Sequence, residues 1–165
     1  MKNKMKLHHL FGCVLLLIAL LLISSCTKNV NDNFKYSPDT SGCDRIQNED
    51  YKGICYAGIA ISKQDNNVCD KIQSQVWKDE CYKGIAISKQ EVTTCQSVRT
   101  QSIKNSCYSE VGIAKQDVAV CDNIQDLTEK NRCYINIAVL KSDPAICDKI
   151  QGQSQKDLCH TQAGK

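Results

Sequence analysis

Apolar residues are laid out along this chain in two different ways. From Leu10 to Ile23 they form an unbroken run without a charge, and from about residue 39 onward they recur at a fixed interval of 26 residues. Ten cysteines mark the interval: Cys43, Cys55, Cys69, Cys81, Cys95, Cys107, Cys121, Cys133, Cys147 and Cys159, separated alternately by 12 and 14 positions. Such regularity is an internal repeat, and it sets the architecture before any local reading.

The other positions keep the same period. Three residues after each first cysteine stands Ile46, Ile72, Val98, Ile124 or Ile150. Each second cysteine is followed by Tyr56, Tyr82, Tyr108 or Tyr134, and then by Ile59-Ala60, Ile85-Ala86, Val111-Gly112 or Ile137-Ala138. An acid lies four residues before each first cysteine: Asp39, Asp65, Glu91, Asp117 and Asp143. The array therefore begins near residue 39.

Each unit reads as a helical hairpin. Asp143-Pro144 is the clearest start signal, an acidic N-cap followed by proline at the first helical position. The first helix should be short, about eight residues through Ile150 by its start signal and the following polar stretch Gln151 to Ser154. The second should run from Lys78 to Gln90, because Cys81, Tyr82, Ile85, Ala86 and Lys89 fall on one helical face. Alternation of period two is absent, which argues against strands. Two helices this short cannot bury an apolar face alone, whereas stacked units share one core. The expected fold is all-α, a short α-solenoid of five two-helix repeats over 39–165. In the last unit the Tyr and Ile-Ala positions become His160 and Ala163-Gly164, as a polar terminal cap would have it.

Pairing the ten cysteines within each repeat uses them all, whereas pairing across repeat boundaries strands Cys43 and Cys159. Cys147 and Cys159 also lie symmetrically about residue 153, so antiparallel helices bring them level. Across the other connection the offset is roughly four residues, about 6 Å, which strains a bond that wants its Cα atoms within about 7 Å. Disulfides within the repeats are expected. Each would close a loop of about 13 residues, contributing near 3 kcal/mol, to helices that are marginal in isolation. Zinc ligation fits poorly without a short pair such as CxxC, as does redox-active dithiol chemistry.

The uncharged run follows Lys2, Lys4 and Lys6. A charged start and an apolar stretch make a signal-peptide layout. About 14 residues reach only about 21 Å as a helix, short of the roughly 20 residues that cross a bilayer. The run ends in Ile23-Ser24-Ser25-Cys26, which resembles the lipobox of prokaryotic lipoproteins. The resemblance covers residues 1–26. It implies that residues 1–25 are a cleaved signal peptide, that Cys26 becomes the first mature residue with diacylglycerol on its sulfur, and that residues 26–38 are a lipidated cysteine and flexible tether. Two acyl chains would hold the chain stably on a membrane. In diderm bacteria a residue other than Asp after the cysteine, here Thr27, goes with sorting to the outer membrane.

Loss of residues 1–25 removes three lysines and no acid, so the formal charge of +3 falls to zero. Nucleic-acid binding then lacks its basic surface, and the few aromatics offer little to stack on. His160 alone survives export, which leaves no Ser-His-Asp, Cys-His or HExxH set and no phosphate-cradling glycine loop. No catalytic residue, metal or cofactor is expected, and the repeated acids read as helix caps. The lysines Lys63, Lys89, Lys115 and Lys141, with Lys52 and its equivalents, read as complements to helix dipoles and as stems over the core; a stripe for an anionic polymer is the alternative. The tyrosine column reads as core. Tyr51 and Trp77, placed in the turn before the second helix, are candidates for a partner contact. The reading is thus a membrane-anchored, exported protein-interaction or scaffolding module of the cell envelope. The alternatives are a purely structural envelope protein or, behind it, a thiol or metal protein.

Overall fold

The computed structural model describes residues 39–164, all of which fall in the second of two units, 38–165. The expected signal peptide (residues 1–25) and the expected lipidated Cys26 with its tether (residues 26–38) lie outside the described residues. The described chain is helical, without strands, and consists of five stacked repeats. Each begins with one tight turn and continues into a long helix: α1 (Glu49–Lys63), α2 (Gln75–Lys89), α3 (Gln101–Lys115), α4 (Leu127–Lys141) and α5 (Gln153–Ala163). Successive long helices pack side by side, and the tight turns form a second layer.

The first element of each hairpin is shorter than the sequence suggests. It is a single α-turn at Ser41–Asp44, Asn66–Cys69 and Val118–Cys121, and a 3-10 turn at Val92–Ser97 and Pro144–Lys149. The cause is the aliphatic residue three places past the first cysteine. Val98 and Ile150 adopt extended backbone, with ψ of 128° and 131°, which ends the turn. Val98 and Ile150 are buried at 3% exposure or less, as are Ile72 and Ile124 at the equivalent positions. The acids start the turns as expected: Asp65, Asp117 and Asp143 accept from the backbone N–H two residues on, and Asp39 does the same for Ser41. In the third repeat Glu91, one methylene longer, accepts from the Thr94 hydroxyl instead.

The long helices start three residues before Lys78 and its equivalents, inside the expected polar turn. Their N-cap residues form a column of their own: Asn48, Ser74, Thr100, Asp126 and Gly152. All five are residue types that favour this position, and Asn48 and Asp126 accept from helix N–H groups. Each of the first four long helices ends at a lysine, and the next residue turns left-handed: Gln64, Gln90, Gln116 and Ser142 have φ of 54°, 52°, 53° and 49°. The N–H of the following acid then reaches back to the helix, as from Asp65 to the Ala60 carbonyl at 3.0 Å. This is the 6→1 bond of a Schellman cap. One acid thereby finishes one repeat and starts the next.

The core runs the length of the stack. Its largest fully buried side chains are Ile72, Ile85, Ile124, Ile137, Val98 and Val111. Ala60, Ala86, Gly112 and Ala138 keep the helices close; at Gly112 an added Cβ would lie 3.2 Å from that of Val120. Among the described residues, no helix is long and apolar enough to cross a membrane.

Candidate interaction surface

The ten repeat cysteines pair within their own repeats: Cys43 with Cys55, Cys69 with Cys81, Cys95 with Cys107, Cys121 with Cys133, and Cys147 with Cys159. Cα separations of 5.6 to 5.8 Å place each pair level across the hairpin. Nine of the ten cysteines are fully buried and Cys55 is half-buried. The sulfurs thus serve the interior, and no free thiol of the five pairs faces a ligand.

The tyrosines share the core with these bridges. Tyr56, Tyr82, Tyr108 and Tyr134 are at most 8% exposed. The residue after the first cysteine supplies the hydroxyl with a partner: Tyr56 donates to Asp44, Tyr82 to Asp70 at 2.6 Å, and Tyr134 to Asp122. Gln96 occupies that place in the third repeat. The carboxylate as acceptor, with burial and repulsion between charges, raises the phenols. Tyr56 is pushed up to about 12, first by its bond to Asp44, and Tyr82 to about 12, first by burial. Burial first, then Asp122, raises Tyr134; burial alone raises Tyr108. In the first, second and fourth hairpins the tyrosine–aspartate pair is a second staple rather than a platform.

A further column joins one repeat to the next, at positions 53, 79, 105, 131 and 157. Asp79, fully buried, accepts from the N–H groups of Arg99 and Thr100 at 2.9 and 2.8 Å, and Gln75 Nε2 holds it from behind at 2.8 Å. Burial alone would raise its pKa, but these donors outweigh it and hold the carboxyl below its ordinary range. Asn105 accepts from the Gln125 N–H, and Asn131 accepts from the N–H of Gln151 while donating to its carbonyl. Each clamp grips the loop just before the next long helix. At the first junction Gly53 takes the clamp position, and Trp77 covers it, its Cβ 2.9 Å from where a Cβ on Gly53 would sit. Nothing in the period announced this column, because its members differ and their partners are backbone groups.

The aromatics proposed for partner contact separate. Both lie in the first turn of a long helix rather than in the loop before it. Trp77 is half-buried at the first junction, donating from Nε1 to Asp50 at 2.9 Å. Tyr51 is 67% exposed. Where Trp77 and Ile103 fill the junction, the fourth repeat has Glu129, and there a shallow groove of about 630 Å³ opens between the starts of α3 and α4. Its walls include Gln101, Asn105, Asp126 and Glu129, which are tied up in the clamp, the cap and the Arg132 pair.

The lysines spread over the surface. Lys63, Lys89, Lys115 and Lys141 each end a long helix, where the dipole favours them. Several cations bind local partners: Lys83 reaches Glu80 at 2.7 Å, Lys89 reaches Glu91 at 3.0 Å, and Lys78 donates to the Asp70 carbonyl. The Thr94 hydroxyl and then Lys89 hold Glu91 below the ordinary carboxylate range. Exposed His160 lies 3.5 Å from Asp148, the counterpart of the tyrosine–aspartate pairs. Among the described residues no three of His, Cys, Asp or Glu converge as metal ligands would. The chain was compared with known protein families, with curated proteins and with solved structures, and nothing in any of the three matches it.

Proposed function

We propose that this chain is an exported lipoprotein, held on a membrane through Cys26, whose stapled array presents a rigid surface to another macromolecule at the cell envelope. The observation that supports it most is the complete pairing of ten cysteines, nine of them fully buried, into five bridges. Structural disulfides of this density persist in oxidising compartments, which agrees with the signal-peptide and lipobox pattern of residues 1–26. A preformed, clamped surface also loses little conformational entropy on binding, which suits a scaffold.

Intact-mass measurement of the native protein, before and after reduction, tests the export half. The expected native mass lacks residues 1–25, carries a lipid on Cys26 and rises on reduction by two hydrogens for each bridge. A mass that retains the leader, or that does not change on reduction, refutes it. Crosslinking in intact cells tests the partner half: one specific protein recovered supports a scaffold. Recovery of none points to a purely structural envelope role.

A further inference from the structure

The two ends of the stack are not alike, and each lacks what the other holds. At the last repeat, Asp157 occupies the clamp position. Gln153 Nε2 holds its carboxylate at 2.8 Å, as Gln75 holds that of Asp79. Yet Asp157 is exposed, and no backbone N–H among the described residues fills its open side. At the first repeat, the N–H groups of Gln47 and Asn48 stand where those of Arg99 and Thr100 meet Asp79, and no acceptor among the described residues reaches them. Among the described residues the flank of that repeat is bare as well. Ile46 and Cys55 are half-buried where their equivalents are fully buried, and Tyr51 is 67% exposed. Gly58 has nothing within 4 Å, whereas the Ile61 side chain of the preceding helix crowds the equivalent Gly84.

We propose that the chain associates head to tail with a second copy of itself. Asp157 of one copy receives the N–H groups of Gln47 and Asn48 of the other, and Tyr51 packs beside that clamp position as Trp77 does beside Gly53. The interface is the junction already present between the second and third repeats, formed between chains. It rests on the stacked fold and stands whether or not Cys26 is lipidated. Because the contact joins two different surfaces, it is heterologous and adds further copies unless it closes into a ring.

Sedimentation velocity on the full chain, purified in detergent with its bridges intact, tests this over a range of concentrations. The unaltered chain is expected to form oligomers that grow with concentration. Asp157→Ala and Tyr51→Asp should each weaken association about tenfold or more, whereas Asp157→Asn should stay within about fivefold, since Asn105 and Asn131 each still accept one loop N–H. Both sites are exposed, so far-ultraviolet circular dichroism should report unchanged folding. The decisive sample mixes the two disabled chains. An Asp157→Ala chain keeps its head and a Tyr51→Asp chain keeps its tail, so together they should form a dimer and nothing larger. A monomer at every concentration overturns the proposal. Monomer is also the result for residues 26–38 covering Tyr51, and association that Tyr51→Asp abolishes but Asp157→Ala leaves intact, the result for head-to-head packing, overturns it as well. A mixture that stays monomeric overturns it too.

Discussion

Asp79 is the strongest joint between repeats, and its removal has a calculable effect. Asp79→Ala strips the acceptor from the Arg99 and Thr100 N–H groups and from Gln75 Nε2. Hydrogen bonds to a charged group contribute about 1.5 to 3 kcal/mol each. Gln75 is half-exposed and rehydrates, so two bonds decide the outcome. Water reaching the freed loop and the better helix propensity of alanine together offset about 1 to 2 kcal/mol. The expected loss is about 3 kcal/mol. Asp79→Asn keeps one acceptor, in the manner of Asn105 and Asn131, and should lose about 1 kcal/mol.

The pH dependence separates the charge from the shape. The native carboxyl is held below its ordinary value of 3.8. Its contribution is therefore complete above 3.8 and is lost as pH falls through the lowered native value. The stability gap between the unaltered chain and Asp79→Asn should be constant near neutrality and narrow in acid below 3.8. Guanidinium unfolding followed by circular dichroism, without reductant, measures both quantities. Asp79→Ala should also broaden the transition, because repeats on either side of a broken junction unfold more independently. Stability of Asp79→Ala within about 0.5 kcal/mol of the unaltered chain, or a gap insensitive to acid, would show that the clamp is incidental.

Three further outcomes are expected from the same unfolding assay. Gly53→Asp and Trp77→Ile should each destabilise by about 1 to 3 kcal/mol, the first by crowding and the second by leaving a void. Together they should lose at least about 1 kcal/mol less than the sum, because they rebuild the Asp79–Ile103 type of junction, and strict additivity would contradict that. Gln90→Gly should raise stability by about 0.5 kcal/mol and Gln90→Val lower it by about 1 kcal/mol, because only glycine takes φ of 52° without steric cost; the reverse order would exclude strain there. Tyr82→Phe should lose about 1 kcal/mol at neutral pH. The phenol is raised from 10.0 to about 12 in the native protein, so its contribution is intact below 10.0 and disappears as pH climbs toward 12. The variant should lack that alkaline decline, and an identical decline in both would assign it elsewhere.

The repeat, the capping acids and the sulfur pairing were all legible, because each depends on spacing and residue type. The polar residues from Gln151 to Ser154 hid a helix start. Gly152 and its counterparts Asn48, Ser74, Thr100 and Asp126 spell an N-cap column, visible once the repeats are aligned. The left-handed residues were not legible: glutamine gives no sign of φ near 50°, which the Schellman bonds impose on it. Nor was the clamp, where Gly53, Asp79 and Asn131 share a place but no chemistry. Lengths of the first elements were overestimated because an isoleucine such as Ile150 reads equally well as the last residue of a helix or as the extended residue that ends one.

The position of the sulfur bridges decides how this array carries tension. A pull applied to its two ends travels along the backbone to Cys69, crosses the bridge to Cys81 and continues, so the residues between them never bear load. Roughly half of each 26-residue repeat is shielded in this way. Stretched to rupture, an oxidised repeat can lengthen only by its remaining half, at about 3.5 Å per residue, and reduction should release the hidden slack as nearly twice the contour length in single-molecule pulling. The array is therefore a short strap of limited reach, whose give is set by thiol chemistry as much as by folding.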